Sequence, residues 1–191
     1  MSEFDLGLSV ALGIGLAAAT GLRLFLPMLV VSAAAYTGHL PLSENFAWLA
    51  TPPALILLGV AAIAEILAYY IPGLDNLLDT LATPAAFVAG TLVSAAVITD
   101  LPPMVKWAAA IIAGGGIAGI TQSVTTLVRA KSTVMTGTLG NPVVATAELG
   151  GSLIVSLLAL LAPLLTAIVI VVLLWLAIRW LRSLSGKPSP S

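Results

Sequence analysis

The chain has 191 residues, of which 60% are hydrophobic and 8% are charged, and its net charge is -1. Soluble domains carry about 25% charged residues, so this composition excludes a soluble fold and predicts an integral helical membrane protein. Seven Lys and Arg residues form no basic stripe for nucleic acid. A chain with no cysteine and one histidine has no thiolate or all-imidazole metal site, and we expect no cofactor.

Hydrophobic runs separated by prolines, glycines and charges predict an all-α, polytopic fold with about six transmembrane helices. The predicted spans are residues 6–36, 48–71, 77–98, 105–128, 142–161 and 164–181. Together they form a single transmembrane domain over residues 1–182. The polar, proline-containing segment 183–191 is predicted to be a disordered tail.

The distribution of basic residues predicts the orientation of these spans. An even number of spans places both termini on one side, and that side carries most of the positive charge. Its basic residues are Arg129, Lys131, Arg179, Arg182 and Lys187, whereas the opposite loops contain Lys106. The positive-inside rule therefore predicts a multi-pass protein of the bacterial inner (cytoplasmic) membrane with both termini in the cytoplasm.

Short matches between the two halves predict an inverted repeat. Gly21 aligns with Gly119, and Thr37-Gly38 aligns with Thr136-Gly137 at nearly the same offset. The two units are residues 5–100 and 104–182. Each unit has three spans, so the units are inverted relative to each other, as in many secondary transporters. The alternative is a six-helix bundle in which the small residues only serve helix packing.

Arg23 lies in the middle of the first apolar segment, where an arginine costs roughly 2.5 to 3.5 kcal/mol on insertion scales. Gly21 before it and Pro27 after it weaken the helix, so we expect a broken or re-entrant helix here. Arg23 is expected to contact at least one of Glu65, Asp79 or Glu148. The alternative is a tilted, kinked helix in which Arg23 is simply paired with a neighbouring carboxylate.

Three acidic residues lie in or near the second and third spans. Glu65 is about two turns inside the membrane, and its alternative interpretation is snorkelling to the headgroups. Asp75 and Asp79 are four residues apart, so they share a helical face near the start of the third span. Asp75 is a plausible N-cap, but capping does not account for Asp79.

The second half contains a polar stretch with a helix start. Asn141 is expected to be an N-cap with Pro142 at the first helical position, so that free amides begin this helix. Helix N-termini in a membrane cavity favour anions or polar headgroups. Glu148 lies about two turns further on, and Arg129 follows a polar stripe over residues 121–126.

Taken together, these motifs resemble the bacterial membrane protein family known as domain of unknown function 4126. The resemblance covers nearly the whole chain and depends on Gly21-Leu22-Arg23 with Pro27, on Glu65, on Ile71-Pro72-Gly73-Leu74-Asp75 with Asp79, on Arg129, and on Gly140-Asn141-Pro142 with Glu148. It implies a self-contained polytopic protein and implies no substrate. Many relatives are expected to carry an aspartate beside Glu65 or Glu148, a feature that this chain lacks.

The buried charges predict a transporter or channel for a small charged or polar solute, with proton or cation coupling through the carboxylates. The predicted solute or ion site comprises Arg23, Glu65, Asp75, Asp79, Arg129, Asn141 and Glu148. Glu148 and Asp79 are expected to control activity rather than folding. Alternatives are a structural or accessory subunit with internal ion pairs, a lipid-headgroup translocase, and a metal-dependent lipid enzyme. Expected partners are membrane lipid, the solute and a second copy of the chain in a homodimer.

Overall fold

The computed structural model describes the backbone of residues 3–71, 74–99, 101–136 and 139–185, and within these ranges the regular structure is entirely helical. The helices are α1 (Glu3–Thr20), α2 (Phe25–Tyr36), a 3-10 helix (Glu44–Ala50), α3 (Pro52–Ala68), α4 (Leu74–Val97), α5 (Pro103–Ala109), a π-helical turn (Ala110–Gly115), α6 (Gly116–Thr136), α7 (Asn141–Leu161) and α8 (Pro163–Ser185). The side chains of residues 3–4, 74–77, 79 and 180–185 lie outside the described set. Helix α8 includes residues 183–185, which the sequence assigned to the tail, and residues 186–191 lie outside the described range.

The lengths and compositions of these helices indicate a membrane protein. Within the described residues, three helices are long and apolar enough to cross a bilayer, namely 80–97, 103–136 and 141–161. The 3-10 helix and α3 meet at a bend of 73°. If these two helices form one broken span, the number of candidate spans is four. The apolar parts of α1, α2 and α8 are shorter. Six separate spans therefore stay a prediction.

The first apolar segment is split between α1 and α2, as Gly21 and Pro27 predict. Helix α1 ends at Thr20, and the next helix begins at Phe25. Residues 21–24 form a turn in which the amides of Gly21 and Arg23 still bond carbonyls of α1. Each resulting helix is shorter than the roughly 20 residues that one span needs, so neither qualifies as a span by length alone.

Helix α1 is the centre of the bundle and packs against α4, α6, α7 and α8. Small residues make this possible because helix backbones approach closely where side chains are short. A Cβ placed on Gly15 would lie 2.8 Å from the Cβ of Ala159, and one on Gly21 would collide with the backbone oxygen of Ala118. The small-residue face of α1 is thus a packing surface.

Helix α4 continues through a proline. Pro84 lies inside the helix, which runs from Leu74 to Val97. A transmembrane helix tolerates proline where neighbouring groups satisfy the freed carbonyl. The irregular backbone occurs instead at the π-helical turn Ala110–Gly115, between α5 and α6.

The two glycines that suggested the repeat have different surroundings. Gly21 is pressed against Ala118 and Thr121 of α6, whereas a Cβ on Gly119 would make only ordinary contact with the Phe87 ring. Gly38 has a left-handed backbone with φ of 76°, but Gly137, its proposed equivalent, lies outside the described residues. The inverted repeat stays a prediction.

Candidate functional site

Arg129 and Glu148 form a buried ion pair between α6 and α7. Arg129 Nε donates to Glu148 Oε1 at 3.0 Å, and Arg129 Nη2 donates to the second carboxylate oxygen. Arg129 is 2% exposed and Glu148 is 6% exposed. Two parallel charge-assisted hydrogen bonds of this kind fix both the distance and the orientation of the partners.

Arg23 reaches the same carboxylate from the break between α1 and α2. Its Nη2 atom lies 3.7 Å from Glu148 Oε2 and donates a hydrogen bond of 2.7 Å to the carbonyl of Ala145. The predicted contact between Arg23 and one of three carboxylates is therefore confirmed. Arg23 is 1% exposed, and its Nε and Nη1 atoms have no hydrogen-bond partner among the described residues.

Tyr69 brings the two arginines together. The guanidinium carbons of Arg23 and Arg129 each lie over the Tyr69 ring, 4.2 Å from its centroid. A cation over an aromatic face is attracted by the ring quadrupole, and more strongly so where water is excluded. One aromatic ring and one carboxylate thus hold two buried cations.

The Glu65 carboxylate binds the beginning of α2. Its two carboxylate oxygens accept hydrogen bonds from the backbone amides of Leu24 and Phe25, at 2.7 and 3.0 Å. Leu24 is the N-cap of α2, and its own apolar side chain cannot accept a hydrogen bond from the first amides of the helix. These amides therefore need an acceptor from another part of the protein. The Glu65 carboxylate therefore has partners inside the protein, namely the amides that the helix break leaves free.

Asn141 is not the cap of its helix. The N-cap is Gly140, without a side-chain hydrogen bond, and Asn141 is the first helical residue, with Pro142 at the second position. The Asn141 amide instead exchanges hydrogen bonds with the Thr133 hydroxyl of α6, at 3.1 and 3.3 Å. Asn141 therefore joins α6 to α7, two turns before Glu148 on the same helix.

The structure brings part of the predicted site together. Arg23 and Arg129 both contact Glu148 and the Tyr69 ring, and Glu65 binds the adjacent helix end. The side chains of Asp75 and Asp79 lie outside the described residues, so their predicted roles are untested. Within the described part of the chain, no group of three acidic or histidine side chains could hold a metal ion.

A cavity of about 470 Å³ lies beside these charges, between the start of α2, α3, α4 and α6. Its polar lining residues are Glu65, Tyr69 and Gln122, and its other lining residues are apolar. Leu81 of α4 lines it and is 59% exposed, so the cavity reaches the outer surface of the bundle. A ligand could therefore approach Glu65 from the side of the helices.

Tyr69 is the site residue that the sequence analysis missed. The neighbouring Tyr70 instead forms a hydrogen bond of 2.8 Å with the Thr146 hydroxyl. The signal for Tyr69 was its spacing: residues four apart share a helical face, so Tyr69 must lie beside Glu65. Nothing in the sequence indicated that both arginines would cover its ring.

The sequence was also compared with known proteins. The sequence model of a protein family described as "Domain of unknown function (DUF4126)" matches residues 10–183, which is most of the chain. No curated protein and no solved structure matches the chain.

Proposed function

The chain belongs to this DUF4126 family, whose description assigns no activity, and we propose that it is a membrane transporter or channel for a small charged or polar solute. The proposed solute site is centred on Arg23, Tyr69 and Glu65 and is bounded by Arg129 and Glu148. The proposed site also includes Asp75, Asp79 and Asn141, because the sequence analysis places them in or next to the same spans.

The observation that carries this proposal is the incompletely bonded guanidinium of Arg23. A fully buried arginine in an apolar protein costs free energy unless its donors are satisfied. Arg23 Nε and Nη1 have no hydrogen-bond partner among the described residues, although Arg23 lies next to a cavity-lining helix end. An anionic or carbonyl-bearing solute would supply the acceptors that these donors need.

The broken helix provides a way for such a site to move. Transporters commonly bind their substrates at interrupted helices, whose free backbone groups contact the solute directly. Here the break at residues 21–24 lies beside Glu65, so a change of partner by this carboxylate would act directly on the connection between α1 and α2. Protonation or cation binding at a buried carboxylate would couple this change to an ion gradient.

The finer features of the proposal follow from the sequence. We infer six spans arranged as two inverted repeats, both termini in the cytoplasm of a bacterial inner membrane, and a homodimer. Because the chain contains no cysteine, single cysteines provide a clean test of the topology. A cysteine at His39, in the predicted outer loop, should react with a membrane-impermeant maleimide added to intact cells, and a cysteine at Lys187 should not.

A structural or accessory subunit is the second candidate, and the closed ion pair of Arg129 and Glu148 favours it. Both oxygens of Glu148 accept hydrogen bonds from Arg129, so this carboxylate needs no cation from outside the protein. In that case the buried charges would fix the register of α6 against α7 rather than bind a solute.

Flux and stability measured on the same variants distinguish the two candidates. Proteoliposomes would be tested in turn with gradients of Na⁺, K⁺, chloride, inorganic phosphate and acetate, using empty liposomes as the blank. The transporter proposal expects flux of at least one of them that Asp79→Asn abolishes without lowering the melting temperature. Glu44→Gln is the control, because Glu44 is exposed on the 3-10 helix. Absence of flux for every solute, with a large fall in melting temperature for Asp79→Asn, would support the structural subunit instead.

A further inference from the structure

The N-terminus of α2 already holds an anion that belongs to the protein. The Glu65 carboxylate bonds the amides of Leu24 and Phe25 through one oxygen each, at 2.7 and 3.0 Å. These amides carry the positive end of a 12-residue helix, and such ends bind carboxylates and phosphates. Glu65 is supplied by α3, a separate element, so this contact is not a local cap that α2 forms by itself.

Arg23 adds a second and independent source of positive charge at this place. It directly precedes Leu24, its side chain is fully buried, and its charge interacts with that of Glu65. The Nε and Nη1 atoms of Arg23 have no hydrogen-bond acceptor in the described part of the chain. The helix end and the guanidinium together therefore offer more donors than the Glu65 carboxylate takes up.

The space next to this site is apolar. The cavity of about 470 Å³ begins at Glu65 and Tyr69 and is otherwise lined by residues such as Ala61 and Leu81. A second groove of about 620 Å³ shares Leu24, Phe25 and Leu81 with this cavity and continues between α2 and α4. Its further lining residues, including Met28, Val88 and Leu92, are apolar as well.

We propose that Glu65 is a tethered competitor for the substrate, and that the substrate is a single-chain amphiphilic carboxylate. The substrate carboxylate would take the place of Glu65 on the amides of Leu24 and Phe25, close to Arg23. Its hydrocarbon chain would lie in the cavity and in the groove between α2 and α4. The identification of this ligand as a transported substrate rests on the proposed function, whereas its binding does not.

The observed contacts favour a carboxylate with a tail over a small inorganic anion. The present occupant is itself a carboxylate that matches two adjacent amides with its two oxygens. An inorganic ion would leave the apolar walls of the cavity without contact, whereas a hydrocarbon chain would pack against them through van der Waals contacts, which drive association between apolar surfaces in a bilayer. The opening at Leu81 also faces the side of the bundle, from which an amphiphile would enter.

Binding of octanoate to the full chain tests this proposal. The protein would be placed in phosphatidylcholine nanodiscs, and octanoate binding would be measured by calorimetry against empty nanodiscs. Acetate provides the head group without the tail, and 1-octanol provides the tail without the charge. We expect octanoate to bind, acetate to bind at least about tenfold more weakly, and 1-octanol to partition equally into both kinds of nanodisc.

Substitution of the competitor gives the sharper result. Glu65→Gln keeps the size of the side chain and removes its charge, so octanoate should bind about tenfold more tightly than in the unaltered protein, a difference of about 1.4 kcal/mol. Glu44→Gln should leave the affinity unchanged, since Glu44 is exposed and lines neither the cavity nor the groove. Equal octanoate affinities in the Glu65→Gln variant and the unaltered protein would overturn the proposal.

A second pair of variants keeps the proposal falsifiable if Glu65→Gln does not fold. Ala61→Phe places a ring in the cavity, and Ile63→Phe is its matched control because Ile63 is 60% exposed on the same helix. Only Ala61→Phe should abolish octanoate binding. The proposal would be overturned if the two variants bound octanoate equally well. It would also be overturned if the protein bound phosphatidate in nanodiscs but did not bind octanoate. Octanoate binding without octanoate flux would contradict the transport function alone and leave the carboxylate site in place.

Discussion

Arg129 and Glu148 face each other as two forks, with Arg129 Nε donating to Oε1 at 3.0 Å and Nη2 donating to Oε2. They come from different helices, α6 and α7, and both side chains are buried. Glu148 also lies 3.7 Å from Arg23, so one carboxylate is the counter-charge of two guanidinium groups. This geometry makes Glu148 the electrostatic centre of the described cluster.

Glu148→Gln should lower stability, in contrast to the expectation from the sequence that Glu148 affects only activity. The amide cannot neutralise two buried guanidinium groups, and breaking a buried pair costs about 3 to 5 kcal/mol. The melting temperature in detergent would be compared with that of Glu44→Gln, which removes an exposed carboxylate. A Glu148→Gln variant as stable as the control would mean that the pair is not needed for folding.

Arg23 and Glu148 should be energetically coupled. Arg23→Ala alone should be destabilising, since it removes the ion pair and the hydrogen bond to the Ala145 carbonyl. When Glu148 is also changed to Gln, the loss due to Arg23→Ala should be smaller by about 1 to 3 kcal/mol, as for residues in contact. The measurement is a double-mutant cycle of unfolding free energies. Strictly additive losses would show that the two side chains do not interact.

Tyr69 should stabilise the cluster through its ring. Tyr69→Leu removes the aromatic face from both Arg23 and Arg129, at a cost of about 1 to 2 kcal/mol beyond the change in size. Tyr69→Phe retains that face and should be the less damaging change, as judged by melting temperature. Tyr36→Leu, at a position 54% exposed on α2, is the control for loss of an aromatic side chain. The contribution of the ring is refuted if the Phe and Leu variants melt at the same temperature.

Gly21 should not tolerate a side chain. Gly21→Ala would press a Cβ against the backbone oxygen of Ala118 and the Thr121 side chain, so α1 and α6 would have to separate. Overpacking of this kind costs about 1 to 3 kcal/mol. Gly59→Ala is the matched control on α3, where a Cβ meets no atom within 4 Å, and it should be neutral or stabilising by up to about 1 kcal/mol. Thermal unfolding of the two variants measures the difference, and equal effects would contradict the close contact.

Local chemistry explains which features could be predicted from the sequence. The break between α1 and α2 follows from Gly21 and Pro27 acting on their own backbone, so it is encoded within one segment. The need of Arg23 for a carboxylate follows from the free energy of a charge in an apolar surrounding, whatever the fold. Apolar composition by itself indicates a helical membrane protein, because in lipid each helix satisfies its own backbone hydrogen bonds.

Only the tertiary structure decided which charged groups meet. The packing of the helices determines these pairs. It places Glu148 against Arg129, Glu65 against the amides of Leu24 and Phe25, and Tyr69 beneath both arginines. The sequence places several carboxylates at similar depth, and electrostatic attraction acts equally on all of them at equal distance. Helix crossing, set by close contacts such as that of Gly21 with α6, brings one carboxylate within reach and fixes the pairing.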